Sequence, residues 1–337
     1  CIDSCPTGAL IERKHKWDKA VKTIATICPH CPIGCNMNLE VDKRNRMIRA
    51  IPDSNAAPNH GQACFKGKFG LDFVNRKERL RKPLVKIDGA LQDSSYLDAL
   101  DFVANGITQY GRDQFALITS PRSTNEDNYI AQKFARAIVG TSNIDMSSNT
   151  KPELIRPLED MLGIGAGTNS IWELENSKCF LLVSSNITEQ HNVASIPIKA
   201  AIKQDSSLIV IDPRETEITR HATMWLRPAP NTEFLVIGAI IRVIMDESLD
   251  DHDFIANNCS NLKGLKDSLW NFDLVKVEQL SGIPTQEIQR AARLIAASST
   301  CSFLYAMDTV GAEYRDVCVR SVVSLALVTG NVGKPST

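Results

Sequence analysis

The 337 residues lack an excess of either charge: 38 lysines and arginines stand against 39 aspartates and glutamates. That balance gives no basis for a nucleic-acid or polyanion partner. No uninterrupted apolar run reaches the roughly 18 residues a membrane span needs, and no signal peptide is visible. GxGxxG is absent, which removes the standard dinucleotide fingerprint. There is also no cysteine between Cys64 and Cys179 and no histidine between His60 and His191. Neither a repeat nor a low-complexity tract occurs.

Cysteine is concentrated instead at one end. Of ten, six fall within the first 64 residues at short, ligand-like spacings, a clustering that favours metal binding over a disulfide framework. Cys28, Cys31, Cys35 and Cys64 form Cys-x2-Cys-x3-Cys-x28-Cys, with three thiolates in one tight loop and a fourth returned by a long excursion. Four soft donors so arranged suit a cubane [4Fe-4S] cluster. Cys1 and Cys5-Pro6 match the tail of the bacterial ferredoxin run. In that run the last cysteine ligates the neighbouring cluster, which assigns Cys1 and Cys5 to two clusters whose other ligands lie upstream. The competing reading is a cysteine-containing turn closed by Pro6 and Gly8. Opening inside this motif and without an initiator Met, the chain reads as a fragment. Cys179, Cys259, Cys301 and Cys318 stand in or beside apolar runs and read as core thiols.

Val21–Ile27 alternates like a strand that delivers Cys28, and residues 36–41 and 47–51 alternate across a polar Asp42–Arg46 turn, a hairpin that returns Cys64. After a polar segment, 75–95, helices alternate with short apolar strands. Helices are expected over 96–110, 129–139, 194–203, 233–245 and 314–328, with Ser123–Glu126 at capping-box spacing before the second. Strands are expected over 115–119, 179–184, 207–211 and 301–306. Strands apolar on both faces and joined by helices indicate a doubly wound parallel α/β sheet.

Ligands bind such sheets beyond the carboxyl ends of the strands. Two loops there are polar: Ser184–His191, with Ser185, Asn186, Thr188, Glu189 and His191, and the stretch after 211, with Asp212 and Arg214. A third, 227–233, contains Pro230 and ends in Glu233, a carboxylate suited to a purine amine. Hydroxyls, an amide, carboxylates and a guanidinium together match a phosphorylated nucleotide, although each loop alone is ordinary turn chemistry.

These segments carry a resemblance. The Cys28–Cys64 set followed by Lys66-Gly67, SPRSTNEDNYIAQKFARAIVG at 120–140, SSNITEQH at 184–191, Asp212-Pro213-Arg214 and LALVTGNVGKP at 325–335 resemble the molybdopterin oxidoreductase superfamily. Within it the chain is most similar to the catalytic subunit of cytoplasmic formate dehydrogenases. The likeness runs through the chain in order. It implies a molybdopterin guanine dinucleotide held by the three loops, Lys66 as an electron relay between cluster and pterin, a cytoplasmic location, and iron–sulfur or flavoprotein partner subunits linked to NAD(P)H or ferredoxin.

One departure stands out. After residue 145 the resemblance implies a metal-binding Cys or selenocysteine followed by His, but this chain reads MSSNTKPEL over 146–154. Either a hydroxyl of Ser147, Ser148 or Thr150 is a hard oxygen ligand to Mo or W, or the subunit is an electron conduit like the large cluster-bearing subunit of complex I. The reading adopted is a formate-dehydrogenase-like electron-transfer subunit with an altered catalytic site, the presence of Mo or W being in doubt. Its expected domains are a ferredoxin tail (1–23), a small β-rich [4Fe-4S] domain (24–74) and a molybdopterin-binding α/β region (75–337), without a C-terminal cap domain.

Overall fold

The computed structural model describes residues 2, 5–7, 9, 10, 12, 17–146 and 151–337. It divides into two compact units, Cys1–Thr150 and Lys151–Thr337.

In the first unit, β1 (Lys22–Ile27), β2 (Asn36–Val41) and β3 (Met47–Pro52) form an antiparallel sheet in that order. Alternation buries Met37, Val41, Ile48 and Ala50, as a half-covered sheet requires. Asp42 closes the β2–β3 turn, its Oδ1 accepting from the backbone nitrogens of Arg44 and Arg46 at 2.9 Å each. Its Oδ2 accepts from the Arg46 guanidinium at 2.7 Å. A short helix, α1 (Phe65–Phe69), starts directly after Cys64.

The 75–95 segment is more ordered than its polarity suggests. It holds a hairpin of β4 (Leu84–Ile87) and β5 (Ala90–Asp93). Asp88 and Gly89 turn it with φ of 49° and 83°, the left-handed pair that a tight two-residue hairpin needs. Then come α2 (Tyr96–Thr108), β6 (Leu117–Thr119), α3 (Asn125–Lys133), a wider π-helical turn over Phe134–Val139, and β7 (Ile144–Met146), parallel to β6. The α3 cap differs from the expected one: Thr124 Oγ1 accepts from Asp127 N at 3.1 Å, while Ser123 N donates to Ser120 O in the preceding turn. The helix therefore starts one residue later than the Ser123 spacing implied.

The second unit is built on α4 (Arg156–Leu162), β8 (Cys179–Val183), α5 (Ile187–Gln190), α6 (Asn192–Ile202), β9 (Ser207–Ile211), β10 (Met224–Leu226) and α7 (Glu233–Asp246). It continues through α8 (His252–Asn258), α9 (Leu262–Leu269), α10 (Leu274–Ser281), α11 (Thr285–Ala297), β11 (Cys301–Tyr305) and α12 (Ala312–Val328). The four strands form one parallel sheet in the order β10-β9-β8-β11. Cys179, Leu181, Val183, Ile209 and Ile211 pack into one cluster with α7, α11 and α12. Phe180, Leu182, Leu208 and Val210, pointing the other way, are buried outside that cluster, as are Val193, Ile198 and Ala201 of α6. Covering on both faces is why these strands are apolar throughout. Three of the four later cysteines, Cys179, Cys301 and Cys318, are fully enclosed, and Cys259 is half-buried.

The order of the strands locates the site. From β8 the chain moves outward through β9 to β10, then returns to lay β11 on the other side of β8. The switch point lies between β8 and β11, where doubly wound sheets open a crevice at the carboxyl ends of their strands.

Candidate cluster and cofactor sites

β1 ends at Ile27 and hands the chain to the cysteine loop. Cys28 N donates to Cys35 O at 2.8 Å and Gly34 N to Cys31 O at 3.4 Å. Gly34 has φ of 66°, a turn that other residues resist. Cys35 leads into β2, and the β2–β3 hairpin brings the chain back to Cys64, the residue that precedes α1. The Cys28 sulfur lies 3.7 Å from where a Cβ on Gly67 would stand, so the first ligand abuts the helix that follows the fourth.

The four thiols interact electrostatically. Burial pushes Cys35 up to about 12, with further upward contributions from Cys31, Cys28 and Cys64. Cys28 is raised by burial first, opposed by the His30 backbone N–H, and raised again by Cys64 and Cys31. Thiolates this close cannot all ionise unless a cation is shared among them, so the donor set fits an iron–sulfur cluster. Among the described residues no three of His, Cys, Asp and Glu converge on a single metal ion. No described cysteine is in a disulfide.

Cys5 is held down to about 7, chiefly by a hydrogen bond with the Thr7 hydroxyl at 3.5 Å. Cys1 lies outside the described residues. Lys66 is exposed on α1, and its carbonyl accepts from Gly70 N at 2.8 Å where the helix ends. Lys68, two residues further, is enclosed: its Nζ donates to Ala50 O at 2.8 Å and lies 3.2 Å from Glu12 Oε1.

At the sheet's carboxyl end, Ser184 leaves β8 with φ of 44° and Met307 follows β11 with φ of 56°. Left-handed backbone at two non-glycine residues is costly and gathers where a site over-determines it. Ser185 and Thr188 are buried, and Asn186 Oδ1 accepts from Thr188 Oγ1 at 3.3 Å. Glu189 and Pro230 are exposed. His191 is half-buried; burial lowers its affinity for a proton, partly offset by Asp308. Asp212 is fully buried and accepts from Arg214 three times, at 2.8 Å from the backbone and at 3.2 and 3.1 Å from the guanidinium.

Glu233 is placed differently from what its loop suggests. It is fully buried, with Oε1 3.3 Å from the Ser184 hydroxyl and 3.2 Å from that of Thr309. The carboxylate therefore braces the strand ends from within. Asp308 belongs to this group although the sequence reading did not single it out. It accepts from Gln190 Nε2 at 2.7 Å, its backbone N donates to Ser184 O at 3.0 Å, and it lies 3.9 Å from the Arg214 guanidinium. A polar pair after the apolar run at 301–305 was its only signal. Ser147 and Ser148 lie outside the described residues.

The sequence matches the molybdopterin oxidoreductase family model over residues 79–336. The chain belongs to the molybdopterin oxidoreductase family. The molybdopterin oxidoreductase Fe4S4 domain matches residues 21–76, the stretch that contains the four cysteines. A [4Fe-4S] cluster and a molybdopterin with Mo or W are the cofactors that go with these two domains. The chain is similar to F420-dependent formate dehydrogenase 1 subunit alpha of Methanococcus maripaludis, 34% identical over 93% of this chain and 47% of that protein. NADPH-Fe(3+) oxidoreductase subunit alpha of Geobacter sulfurreducens is 28% identical over 98% of this chain and 39% of that one. Acetylene hydratase from Pelobacter acetylenicus shares the fold, with a TM-score of 0.79 at 23% identity over 93% of this chain and 44% of its own. The chain thus spans about half the length of these relatives, or less. It is a formate-dehydrogenase-like molybdopterin oxidoreductase with an Fe4S4 domain, and no described helix is long and apolar enough to cross a membrane.

Proposed function

We propose that this chain is the electron-transferring portion of a larger redox complex, moving electrons between a cluster at Cys28, Cys31, Cys35 and Cys64 and a partner iron–sulfur or flavoprotein subunit linked to NAD(P)H or ferredoxin. The observation that carries this reading is the Fe4S4 domain match over the stretch that contains these four cysteines, with Cys28 and Cys35 buried and the Cys28 sulfur beside the helix that follows Cys64. A relative named for NADPH and Fe(3+), similar over 98% of this chain, supports a role that does not depend on formate.

In this reading residues 24–74 hold the cluster, and 75–337 hold the pterin nucleotide at the switch crevice. Residues 1–23 end a ferredoxin-like domain in which Cys1 and Cys5 serve two further clusters. When bound, the molybdopterin metal supplies two-electron exchange with a substrate, which an iron–sulfur cluster conducts one electron at a time. The chain's own residues bind and orient. Arg214, fixed by Asp212 and near Asp308, presents a guanidinium to a phosphate; Ser185, Asn186, Thr188 and Glu189 offer hydrogen bonds to a nucleotide. Lys66 presents a cation on the helix that begins beside Cys64.

A second reading is favoured by the 34% identity to a formate dehydrogenase alpha subunit: catalysis is retained, with Ser147 or Ser148 as an oxygen ligand to the metal. Formate-driven dye reduction by the full-length protein separates the two. The conduit reading expects none, whatever the Mo or W content; robust turnover with formate overturns it.

A further inference from the structure

Twenty-eight residues lie between the third ligand and the fourth, and something must hold the fourth to the loop that carries the other three. We infer that Asn59 is the positioning residue that does so, an inference that rests on the cluster reading above. Asn59 is fully buried. Its Oδ1 accepts from Asn36 N at 2.9 Å. Its Nδ2 donates to Asn36 O at 3.3 Å and to Gln62 O at 2.9 Å. Asn36 directly follows Cys35, and Gln62 is two residues before Cys64. One amide therefore spans the two chain segments that deliver the third and fourth thiolates.

The local backbone is built to aim it. Gln62 N returns to Asn59 O at 2.7 Å, and Gly61 N donates to Asp53 O at 3.0 Å. His60 and Gly61 take φ of 42° and 72°, a left-handed pair that reverses the chain and turns the Asn59 side chain inward. A side chain at Gly61 would be strained at that φ and tight as well, its Cβ standing 3.2 Å from Ser54 Cα. Only an amide serves both segments: a carboxylate keeps the acceptor but loses both Nδ2 donors, and alanine strands buried polar groups on each side. The opposite edge of the cysteine loop is tied separately, His30 Nε2 to Gly70 O at 3.2 Å. Loosening Asn59 should therefore release Cys64 without releasing Cys28 and Cys31.

The test compares Asn59→Asp and Asn59→Ala with wild type in the intact protein, by iron content, far-UV circular dichroism and low-temperature EPR of the oxidised form. Both variants are expected to keep the wild-type dichroism, to lose about one iron per chain and to gain the signal of a three-iron cluster, Ala more than Asp. If the Ala variant does not fold, the Asp variant decides. Wild-type iron content and EPR in a folded Asp variant would overturn the inference. A wild-type protein whose iron is unaffected by Cys64→Ser would overturn the cluster reading instead, and the inference with it.

Discussion

Glu233 and Ser184 meet across the carboxyl end of the parallel sheet, Oε1 to hydroxyl at 3.3 Å, with Thr309 Oγ1 donating to the same serine at 2.7 Å. Glu233 Oε2 is buried and has no hydrogen-bond partner among the described residues. The cost of ionising this carboxyl in the folded state follows from that geometry: burial, and then the nearby Asp212, hold it above the ordinary carboxylate range.

A raised carboxyl binds its proton more tightly folded than unfolded. Its contribution to stability is full below the ordinary glutamate value and is lost as pH rises through the raised one. Glu233→Gln, neutral at every pH, should therefore gain in stability relative to wild type as pH rises above the ordinary glutamate value and through the raised one. Denaturant midpoints across that range check this; parallel profiles would contradict it.

Gly70 closes α1 where a side chain has no space. A Cβ there would stand 2.6 Å from Lys66 O and 3.0 Å from His30 Nε2. Gly70→Ala should destabilise the small domain by about 1–3 kcal/mol and break the His30 contact. The loss is read from the urea midpoint of the transition that releases cluster colour.

Ile240 is fully buried on α7 in the main cluster. Ile240→Ala should cost about 2–5 kcal/mol, visible in the unfolding of the α/β unit with iron content unchanged.

Arg214 is partly exposed and anchored by buried Asp212. If its guanidinium holds a phosphate of the pterin nucleotide, Arg214→Ala should weaken retention of the cofactor about tenfold. Pterin fluorescence after acid release measures this; unchanged pterin content would remove Arg214 from the site.

Some of this architecture was legible in the sequence because its signals are local. The β2–β3 hairpin follows from alternation across Asp42–Arg46, and the parallel strands at 179–183 and 207–211 from uninterrupted apolar runs. The β4–β5 hairpin carried its own signal in Asp88-Gly89, hidden by polar surroundings. Helices α8 to α10 are short, and α11, though longer and amphipathic, carries no motif to draw notice. The strand-end group was only partly visible, since which face Glu233 presents and whether Asp308 joins Gln190 and Arg214 are decided by tertiary packing. Asn59 lay outside every metal-ligand pattern because it acts through backbone groups of Asn36 and Gln62.

A cluster at Cys28, Cys31, Cys35 and Cys64 is the centre of the proposed electron path. Its most direct test is low-temperature EPR of the reduced protein, wild type against Cys64→Ser, with iron measured on the same samples. The account predicts a reduced [4Fe-4S] signal in wild type that is lost or replaced by a different cluster signal in Cys64→Ser, with less iron. An identical spectrum and identical iron in the two proteins would contradict it.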